Sequence, residues 1–275
     1  MQDCVIGCFS DYGWQDVRVW ARSLAASGFA GRRVALVRNP KPDCVPALVG
    51  LGFEVVDFSR VPFAAMHHVE RFSQLRRYLF HQRQQGVQFR WVVTTDVRDA
   101  CFQRDPITFL AQFDPPRLVL SQEGLRYRHA EWNAGNLMAS FGEEALATLG
   151  DTPAYNAGVL AGGHQMIEGL SYLIETLARA AFIEASDQAS LNLLTASLAS
   201  GLFAHRAGSG EPWACQAGVM ADPRRIARNR PNLLGPEPML RDGIVCTATG
   251  APYAIVHQYD RVPAWDAAIT ERFGT

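Results

Sequence analysis

Short apolar runs alternate with longer amphipathic stretches along the first third of the chain. Residues 4–9, 33–37 and 53–57 are rich in β-branched and aromatic side chains and predict strands. Residues 14–26 and 68–84 carry apolar positions at helical spacing and predict helices. Strands that alternate with helices are typical of an α/β fold, so we expect a mostly parallel central sheet flanked by helices.

A further apolar run, residues 91–95, ends directly before two carboxylates that flank an arginine. The run predicts a strand buried on both faces, followed by Asp96, Arg98 and Asp99. Ligands of open α/β sheets bind at the carboxyl ends of strands, where two carboxylates suit a divalent cation that carries a phosphorylated ligand. A turn that begins at Asp96, with Asp99 and Arg98 as a surface pair, explains the same residues. The motif alone leaves both interpretations open.

The pattern is less regular beyond residue 106. Residues 118–120 and 155–163 predict strands, the second interrupted by glycine, and a last strand over 253–257 ends on His257. The segment 208–249 is rich in Pro, Gly and Arg and is expected to wrap the surface. Two helices are predicted over 169–179 and 187–200. We find no repeat and no linker that would divide the chain.

Composition narrows the classes of function. The 275 residues are 48% apolar with a net charge of −1, which argues against disorder and against a nucleic-acid partner. The six cysteines are scattered and form no Cys-x-x-Cys pair, which favours a reducing cytosol over a disulfide framework. No signal-like start and no membrane-length apolar run occur, so we expect a cytoplasmic protein. Peripheral membrane contact through the arginine-rich run 224–230 is the alternative to a solvated loop there. The oligomeric state stays open.

Four separated motifs occur in a characteristic order: TDVRDACFQ at 95–103, YNAG at 155–158, DQASLN at 187–192 and VHQYDR at 256–261. This order resembles the GT-A fold nucleotide-sugar glycosyltransferases over most of the chain. The glycogenin-like and bacterial lipopolysaccharide sugar transferases are similar, as are uncharacterised bacterial transferases with an Asp-x-Arg-Asp motif. The resemblance implies a single GT-A-like α/β domain over 1–275, with a nucleotide-binding half at 1–105 and an acceptor-binding half at 106–275.

The resemblance also implies an activity. A sugar would move from a nucleoside-diphosphate sugar, UDP being favoured, to a hydroxyl of a saccharide or lipid-linked acceptor, with Mn²⁺ or Mg²⁺ as cofactor. Retention of the anomeric configuration is favoured by the motifs at 155–158 and 187–192. By resemblance, Asp96, Asp99 and His257 would be the metal ligands. Arg98 stands where the family has its second Asp, so either Asp99 supplies that ligand, which we favour, or Arg98 itself neutralises phosphate charge.

Other roles follow from the same resemblance, each beside a structural alternative. Asn156, Ala157 and Gly158 would line the donor sugar, although a tight turn also explains them. Asp187 and Gln188 would lie near the reacting carbon, although capping of the predicted helix by Ser186 or Asp187 is an equal explanation.

The nucleotide would be held nearer the start of the chain. Ser10, Asp11 and Tyr12 would hold base and ribose, although they also suit a turn. Arg71 would reach the diphosphate, although arginines on a helix are commonly solvated.

Some residues receive no functional role. Trp132, Trp213 and Trp265 suit either sugar stacking or buried packing, and His67 and His68 are expected at the surface or in packing.

Three other functions compete with a glycosyltransferase. A sugar-1-phosphate nucleotidyltransferase should have a glycine-rich basic loop after the first strand, which residues 10–13 do not form. A phosphatase with an Asp nucleophile should carry its Asp-x-Asp after the first strand. A non-catalytic nucleotide-sugar-binding module with a degenerate metal site is favoured by Arg98.

Overall fold

Seven strands form a mixed central sheet in the described part of the computed structural model, which covers residues 1–62, 67–114, 116–181, 183–197 and 204–274. The elements follow the chain in this order: β1 Gln2–Ser10, α1 Trp14–Ala26, β2 Arg32–Arg38, α2 Cys44–Gly50, β3 Glu54–Asp57, α3 His67–Gln84, β4 Phe89–Thr95, β5 Ala100–Phe102, α4 Ile107–Leu110, β6 Leu118–Arg126, α5 Glu131–Leu149, β7 Pro153–Gly162, α6 His164–Ala181, α7 Ser186–Ser197, β8 Ala204–Ala207, β9 Ala214–Gln216, α8 Ala217–Met220, α9 Pro223–Asn229, β10 Met239–Arg241, β11 Ile244–Cys246, β12 Ile255–His257 and α10 Pro263–Phe273.

The order of the central sheet is β3-β2-β1-β4-β7-β6-β8. β3, β2, β1 and β4 pair in parallel, whereas β7 is antiparallel to both of its neighbours, β4 and β6. The carboxyl ends of β1, β4 and β6 and the first half of β7 therefore meet at one edge, which we call the carboxyl edge. At about 4.8 Å between neighbouring strands, β1 and β6 lie roughly 14 Å apart along this edge.

A second sheet, β5-β12-β9, continues the carboxyl edge beyond β4. β12 is antiparallel to β5, with His257 opposite Ala100, and parallel to β9, with His257 opposite Gln216. Because Asp99 directly precedes β5, this register brings Asp99, His257 and Gln216 to one place.

The helix α1 locks the end of β4 and the start of β5. Trp20 is fully buried, and its indole N–H donates to Thr95 Oγ1 at 2.9 Å. The hydroxyl of Ser23 accepts from the backbone N–H of Phe102 at 3.0 Å. A Cβ on Gly7 would lie 2.5 Å from the Trp20 ring, so glycine is needed for the close approach of β1 and α1. The segment that carries Asp96 and Asp99 is thus fixed on both sides.

The predicted α/β class, a mostly parallel central sheet flanked by helices, is confirmed. The prediction that residues 208–249 wrap the surface is wrong for the stretch 213–220, where Trp213 and Cys215 are fully buried and β9 is part of the second sheet, whereas most of 221–244 lies at the surface. The helix predicted over 187–200 is α7, and residues 198–200 of that prediction lie outside the described residues. No helix of the described chain is long and apolar enough to cross a membrane.

Candidate active site

A cleft of about 1230 Å³ follows the carboxyl edge of the central sheet. Most of the residues singled out from the sequence line it: Ser10, Asp11, Tyr12, Arg71, Asp96, Arg98, Asp99, Asn156, Gly158, Asp187, Gln188 and His257. Ala157 is outside the lining and contributes only its backbone, which donates to Gln188 Oε1 at 3.3 Å and accepts from Arg71 Nη2 at 3.2 Å. The structure thus gathers residues that are far apart in the chain.

Asp96, Asp99 and His257 form a carboxylate–histidine cluster in this cleft. One side-chain oxygen or nitrogen from each lies within 4.8 Å of the others. His257 Nε2 is 3.2 Å from Asp96 Oδ2 and 3.5 Å from Asp99 Oδ1, yet it forms no hydrogen bond with any described residue. The two carboxylates are close ionic partners of the ring, although neither is aligned as a regular hydrogen-bond acceptor.

Nδ1, the other ring nitrogen of His257, contacts Gln216. Nδ1 lies 2.7 Å from Gln216 Oε1, and the amide of Gln216 donates in turn to Ser121 Oγ. In this amide orientation Oε1 can only accept, so Nδ1 carries the proton and Nε2 faces the carboxylates. Such a partner behind the ring is typical of metal-binding histidines.

The cluster pairs two carboxylates with two positive groups. Burial by itself lowers the pKa of His257, but the carboxylates of Asp99 and Asp96 outweigh burial and raise that pKa to about 10. Arg71 is the second positive group, on the other side of Asp96: burial raises the pKa of this carboxyl, but Arg71 and then His257 hold it well below its usual range. The two carboxylates are therefore balanced by Arg71 and protonated His257, and a metal cation would take the place of the His257 proton.

Arg71 links the cluster to Asp187. Its Nη1 pairs with Asp96 Oδ1, and its Nη2 lies 2.6 Å from Asp187 Oδ2. Asp96 thus divides its two oxygens between Arg71 and His257. Asp187 is almost fully buried and its carboxylate points to Arg71, while the hydroxyl of Ser186 donates to Ala178 O. These contacts give no support to helix capping by either residue.

Arg98 lies at the rim of the cleft, with half of its side chain exposed. Its Nη1 is 3.2 Å from Asp260 Oδ2, and its Nη2 is 3.7 Å from Asp99 Oδ2. Asp99, and not Arg98, therefore stands beside Asp96 and His257.

Gly158 gives the cluster its space. A Cβ at this position would lie 2.5 Å from His257 Cε1 and 2.7 Å from Asp96 Oδ2, which is closer than Cβ atoms approach other atoms. The carbonyl of Gly158 accepts from the backbone N–H of Asp96 at 2.7 Å, so β7 and the end of β4 are in direct contact here.

A second carboxylate site, the amide network, lies on the β7 and β6 side of the cleft. Glu123 Oε1 accepts from Asn156 Nδ2 at 2.7 Å and from Gln188 Nε2 at 3.1 Å, and Glu123 Oε2 accepts from Asn133 Nδ2 at 2.5 Å. Gln188 Nε2 also donates to Asn133 Oδ1 at 2.6 Å. All four side chains are buried and line the cleft.

The network uses most of the hydrogen-bonding capacity that the sequence analysis assigned to substrate. Both amide N–H groups and the side-chain carbonyl of Gln188 form hydrogen bonds within the protein. This side chain therefore positions its neighbours and has no group left for substrate. Asn156 Oδ1 accepts from Gly158 N at 2.6 Å, which leaves one N–H of Asn156 for a ligand.

Glu123 and Asn133 were not identified from the sequence as residues of the site. Glu123 interrupts the strand β6, and Asn133 lies in α5, a helix that was not predicted. A carboxylate inside a buried strand requires polar partners, and this was the available signal for Glu123.

Tyr12 forms a shelf at the β1 end of the cleft. Its ring stacks on Phe9 with centroids 5.9 Å apart, and burial raises the pKa of its hydroxyl. Asp11 has a positive φ of 61° and its N–H donates to Arg38 O at 2.9 Å, a backbone conformation that Asp tolerates better than most residues.

Several residues without an assigned role also line the cleft. His67 and His68 belong to its wall, and so does Trp132, which is exposed, whereas Trp213 and Trp265 are buried. Arg224, Arg225 and Arg228 of the arginine-rich run line the cleft from α9, and Arg224 and Arg228 are exposed.

Comparisons with known proteins give a likeness to solved structures and none to known sequences. No family model matches the sequence, and no curated protein sequence matches it. The chain is similar to a solved structure described as the galactosyltransferase LgtC in complex with donor and acceptor sugar analogs. The likeness covers 92% of this chain and 86% of that one, at 16% sequence identity and a TM-score of 0.49. At this identity and score it carries no conclusion about chemistry.

Proposed function

We propose that this chain is a glycosyltransferase that moves a sugar from a nucleoside-diphosphate sugar, UDP being favoured, to a hydroxyl of a saccharide or lipid-linked acceptor. The observation that carries the proposal is the carboxylate–histidine cluster at the carboxyl edge, between the end of β1 and the amide network. The cleft volume of about 1230 Å³ exceeds the roughly 300–1000 Å³ of common small-molecule sites, which suits two substrates.

The residues of the cluster fit a divalent cation. Two carboxylates and a histidine nitrogen without a hydrogen bond converge within 4.8 Å, and Gln216 fixes the ring orientation. Asp96, Asp99 and His257 would hold Mn²⁺ or Mg²⁺, and the bound cation would supply neutralisation of the charge on the departing diphosphate.

The chain's own residues would bind and orient the donor. Tyr12 would stack on the base, with Ser10 and Asp11 beside the ribose. Arg98, exposed at the rim, would add positive charge near the diphosphate. Arg71 would act indirectly, because its guanidinium already holds Asp96 and Asp187 in place.

The sugar would lie over β7. The free N–H of Asn156 would donate to a sugar hydroxyl. Gly158 would act indirectly, because the space that its missing side chain leaves is taken by His257 and Asp96. Asp187 would lie near the reacting carbon with its orientation set by Arg71. The acceptor oxygen would bond to the anomeric carbon as the bond from that carbon to the diphosphate oxygen breaks, and the hydroxyl proton would leave to the diphosphate. We propose retention, on the resemblance of the motifs at 155–158 and 187–192.

The division of labour along the chain is part of the proposal. Residues 1–105 would provide the nucleotide-binding half and residues 106–275 the acceptor-binding half. The protein would work in the cytosol, where nucleotide sugars are available.

The test is incubation of the protein with UDP-, GDP- and CMP-sugars in Mn²⁺, in Mg²⁺ and in EDTA. Mass spectrometry would follow hydrolysis of each donor, and calorimetry would measure UDP affinity under the same conditions. We expect UDP-sugar hydrolysis that requires the metal. Equal UDP affinity in Mn²⁺ and EDTA would overturn the metal assignment and favour Arg98 as the neutralising group. Binding without hydrolysis or transfer would indicate a non-catalytic module, and no binding of any nucleotide would overturn the proposal.

A further inference from the structure

Trp132 is the one exposed tryptophan of the chain, with 54% of its surface accessible, although it lies on the wall of the cleft. Its chain neighbour Asn133 is buried and donates to the carboxylate of Glu123. The contact between Glu131 and Arg228 is exposed to solvent and adds little. The first turn of α5 is therefore held by Asn133, and the indole next to it has limited backbone freedom to lose on binding.

The position of Trp132 along the carboxyl edge separates it from the nucleotide residues. Tyr12 lies at the end of β1 and Asp96 at the end of β4, followed by Asn156 on β7 and Glu123 on β6. A donor with its base at β1 and its diphosphate at β4 would have its sugar at β7. The next strand, roughly 4.8 Å further along, is β6, where Asn133 joins Trp132 to Glu123.

The β6 end of the cleft combines an apolar surface with hydrogen-bonding groups. An indole face is apolar. In the lining of the same cleft, Glu123 has used about three of its four acceptor positions, while Asn133 has used one of its two amide N–H groups. The remaining acceptor and donor suit a hydroxyl group. A pyranose ring presents one apolar C–H face and an edge of hydroxyls, and thus complements this combination.

We propose, on the basis of the proposed function, that Trp132, Asn133 and Glu123 form the acceptor subsite, and that the acceptor is a saccharide in its pyranose ring form. The ring stacks on Trp132, and one of its hydroxyls bonds to Glu123 and Asn133. An open-chain polyol lacks the flat C–H face, so it binds this subsite poorly.

The test compares Trp132→Ala, Trp132→Phe and the matched control Tyr172→Ala. Tyr172 is also 54% exposed, but it lies on α6 outside the cleft lining. The probes are the methyl β-pyranosides of galactose and glucose, with galactitol as the open-chain comparison. Steady-state kinetics would give the KM of each acceptor, and hydrolysis of the donor without acceptor would give a donor KM. Acrylamide quenching of tryptophan fluorescence would report coverage of Trp132 independently of turnover.

We expect at least one pyranoside to protect the fluorescence from quenching, and galactitol to give no protection. Trp132→Ala should raise the acceptor KM roughly tenfold, a factor typical of one lost aromatic contact, and Trp132→Phe should restore most of it. The donor KM should stay within about twofold in all three variants. If Trp132→Ala matches Tyr172→Ala in acceptor KM, or if galactitol protects as well as the pyranosides, the subsite is wrong.

The subsite and the proposed function fail in distinguishable ways. Absent donor hydrolysis by the wild-type protein would overturn the glycosyltransferase, whereas protection by a pyranoside in that same protein would still support a saccharide site at Trp132. Donor hydrolysis without any pyranoside protection would give the reverse result and overturn the subsite.

Discussion

Two carboxylate sites share the cleft, and they balance their charge in opposite ways. In the carboxylate–histidine cluster, Asp96 and Asp99 stand beside a histidine nitrogen that forms no hydrogen bond with the described residues. In the amide network, Glu123 accepts three hydrogen bonds from side-chain amides. The first site is therefore balanced by ionic contacts with Arg71 and His257, in which a metal cation would take the place of the His257 proton, and the second is nearly complete without any ligand.

The start of α7 connects the two sites. Asp187 turns to Arg71 and through it to Asp96, while the adjacent Gln188 turns to Glu123 and Asn133. A buried network of satisfied hydrogen bonds rigidifies its surroundings, so the network fixes α7 and thereby Asp187. The carboxylate–histidine cluster therefore supplies charged groups for the chemistry, and the amide network maintains the shape of the cleft. Each substitution below would separate these two contributions.

Asp96→Asn should produce the largest change. It removes a charged ligand, so Mn²⁺ affinity should fall by more than about 100-fold, the upper range for loss of an outer partner of a metal ligand. The asparagine carbonyl can still accept from Arg71, but the lost charge leaves Arg71 and His257 without their ionic partner, so the melting temperature without metal should also fall. Calorimetric titration with Mn²⁺ and thermal melting test both expectations. Glu144→Gln is the control, because Glu144 is an exposed carboxylate outside the cleft lining. Unchanged Mn²⁺ affinity in Asp96→Asn would remove the cluster as a metal site.

Gln216→Ala should have the next largest effect, although Gln216 touches no proposed ligand atom that faces the cation. Its Oε1 holds His257 Nδ1 at 2.7 Å, and loss of such a partner lowers metal affinity by about 10- to 100-fold. Gln216→Glu retains an acceptor at the same place and should recover part of the affinity. A finding that Ala and Glu variants bind Mn²⁺ equally well would show that the ring is oriented by packing alone.

Glu123→Gln should change stability and leave metal binding intact. One carboxylate oxygen becomes an NH₂ group that faces the amide donors, so at least one buried donor loses its partner at a cost of about 1–3 kcal/mol in the free energy of unfolding. Denaturant unfolding with and without Mn²⁺ gives both quantities in one experiment. If Mn²⁺ affinity falls as strongly as in Gln216→Ala while stability is unchanged, the two sites are not separate.

The sequence predicted the first site far better than the second, for a physical reason. Asp96 and Asp99 directly follow a buried strand and His257 ends another, so strand ends alone indicate where they gather. The amide network depends on which strand pairs with β7 and on where α5 begins. Such long-range pairing is not encoded in the local pattern around Glu123.

The fold shows the same limit. The elements with a strong apolar period, β1, α1, β2 and β4, were predicted to within a few residues. The helical segment α5 was missed. It consists of two helices joined by a kink at Gly142, whose φ is 84°, and it has few buried side chains. Its weak apolar pattern reflects that half-exposed position. The antiparallel insertion of β7 between β4 and β6 likewise leaves no local mark in the sequence.

Arg98→Gln should have the smallest effect on stability and tests whether the departure from the family motif matters. The side chain is half exposed, and its contacts with Asp260 and Asp99 are 3.2 and 3.7 Å long, so the pairs are screened by solvent. We expect the free energy of unfolding to change by less than about 1 kcal/mol. Mn²⁺ affinity should change by no more than about fivefold, because Arg98 is not among the three converging side chains.

Any loss of UDP affinity in Arg98→Gln should be modest and should shrink further in 1 M salt, where exposed charges are screened within about 3 Å. Calorimetry with UDP at low and high salt measures this, with the exposed Arg77→Gln on α3 as the control. If Arg98→Gln abolishes UDP binding while Mn²⁺ affinity is unchanged, the arginine carries the charge-neutralising role and Asp99 is only its partner.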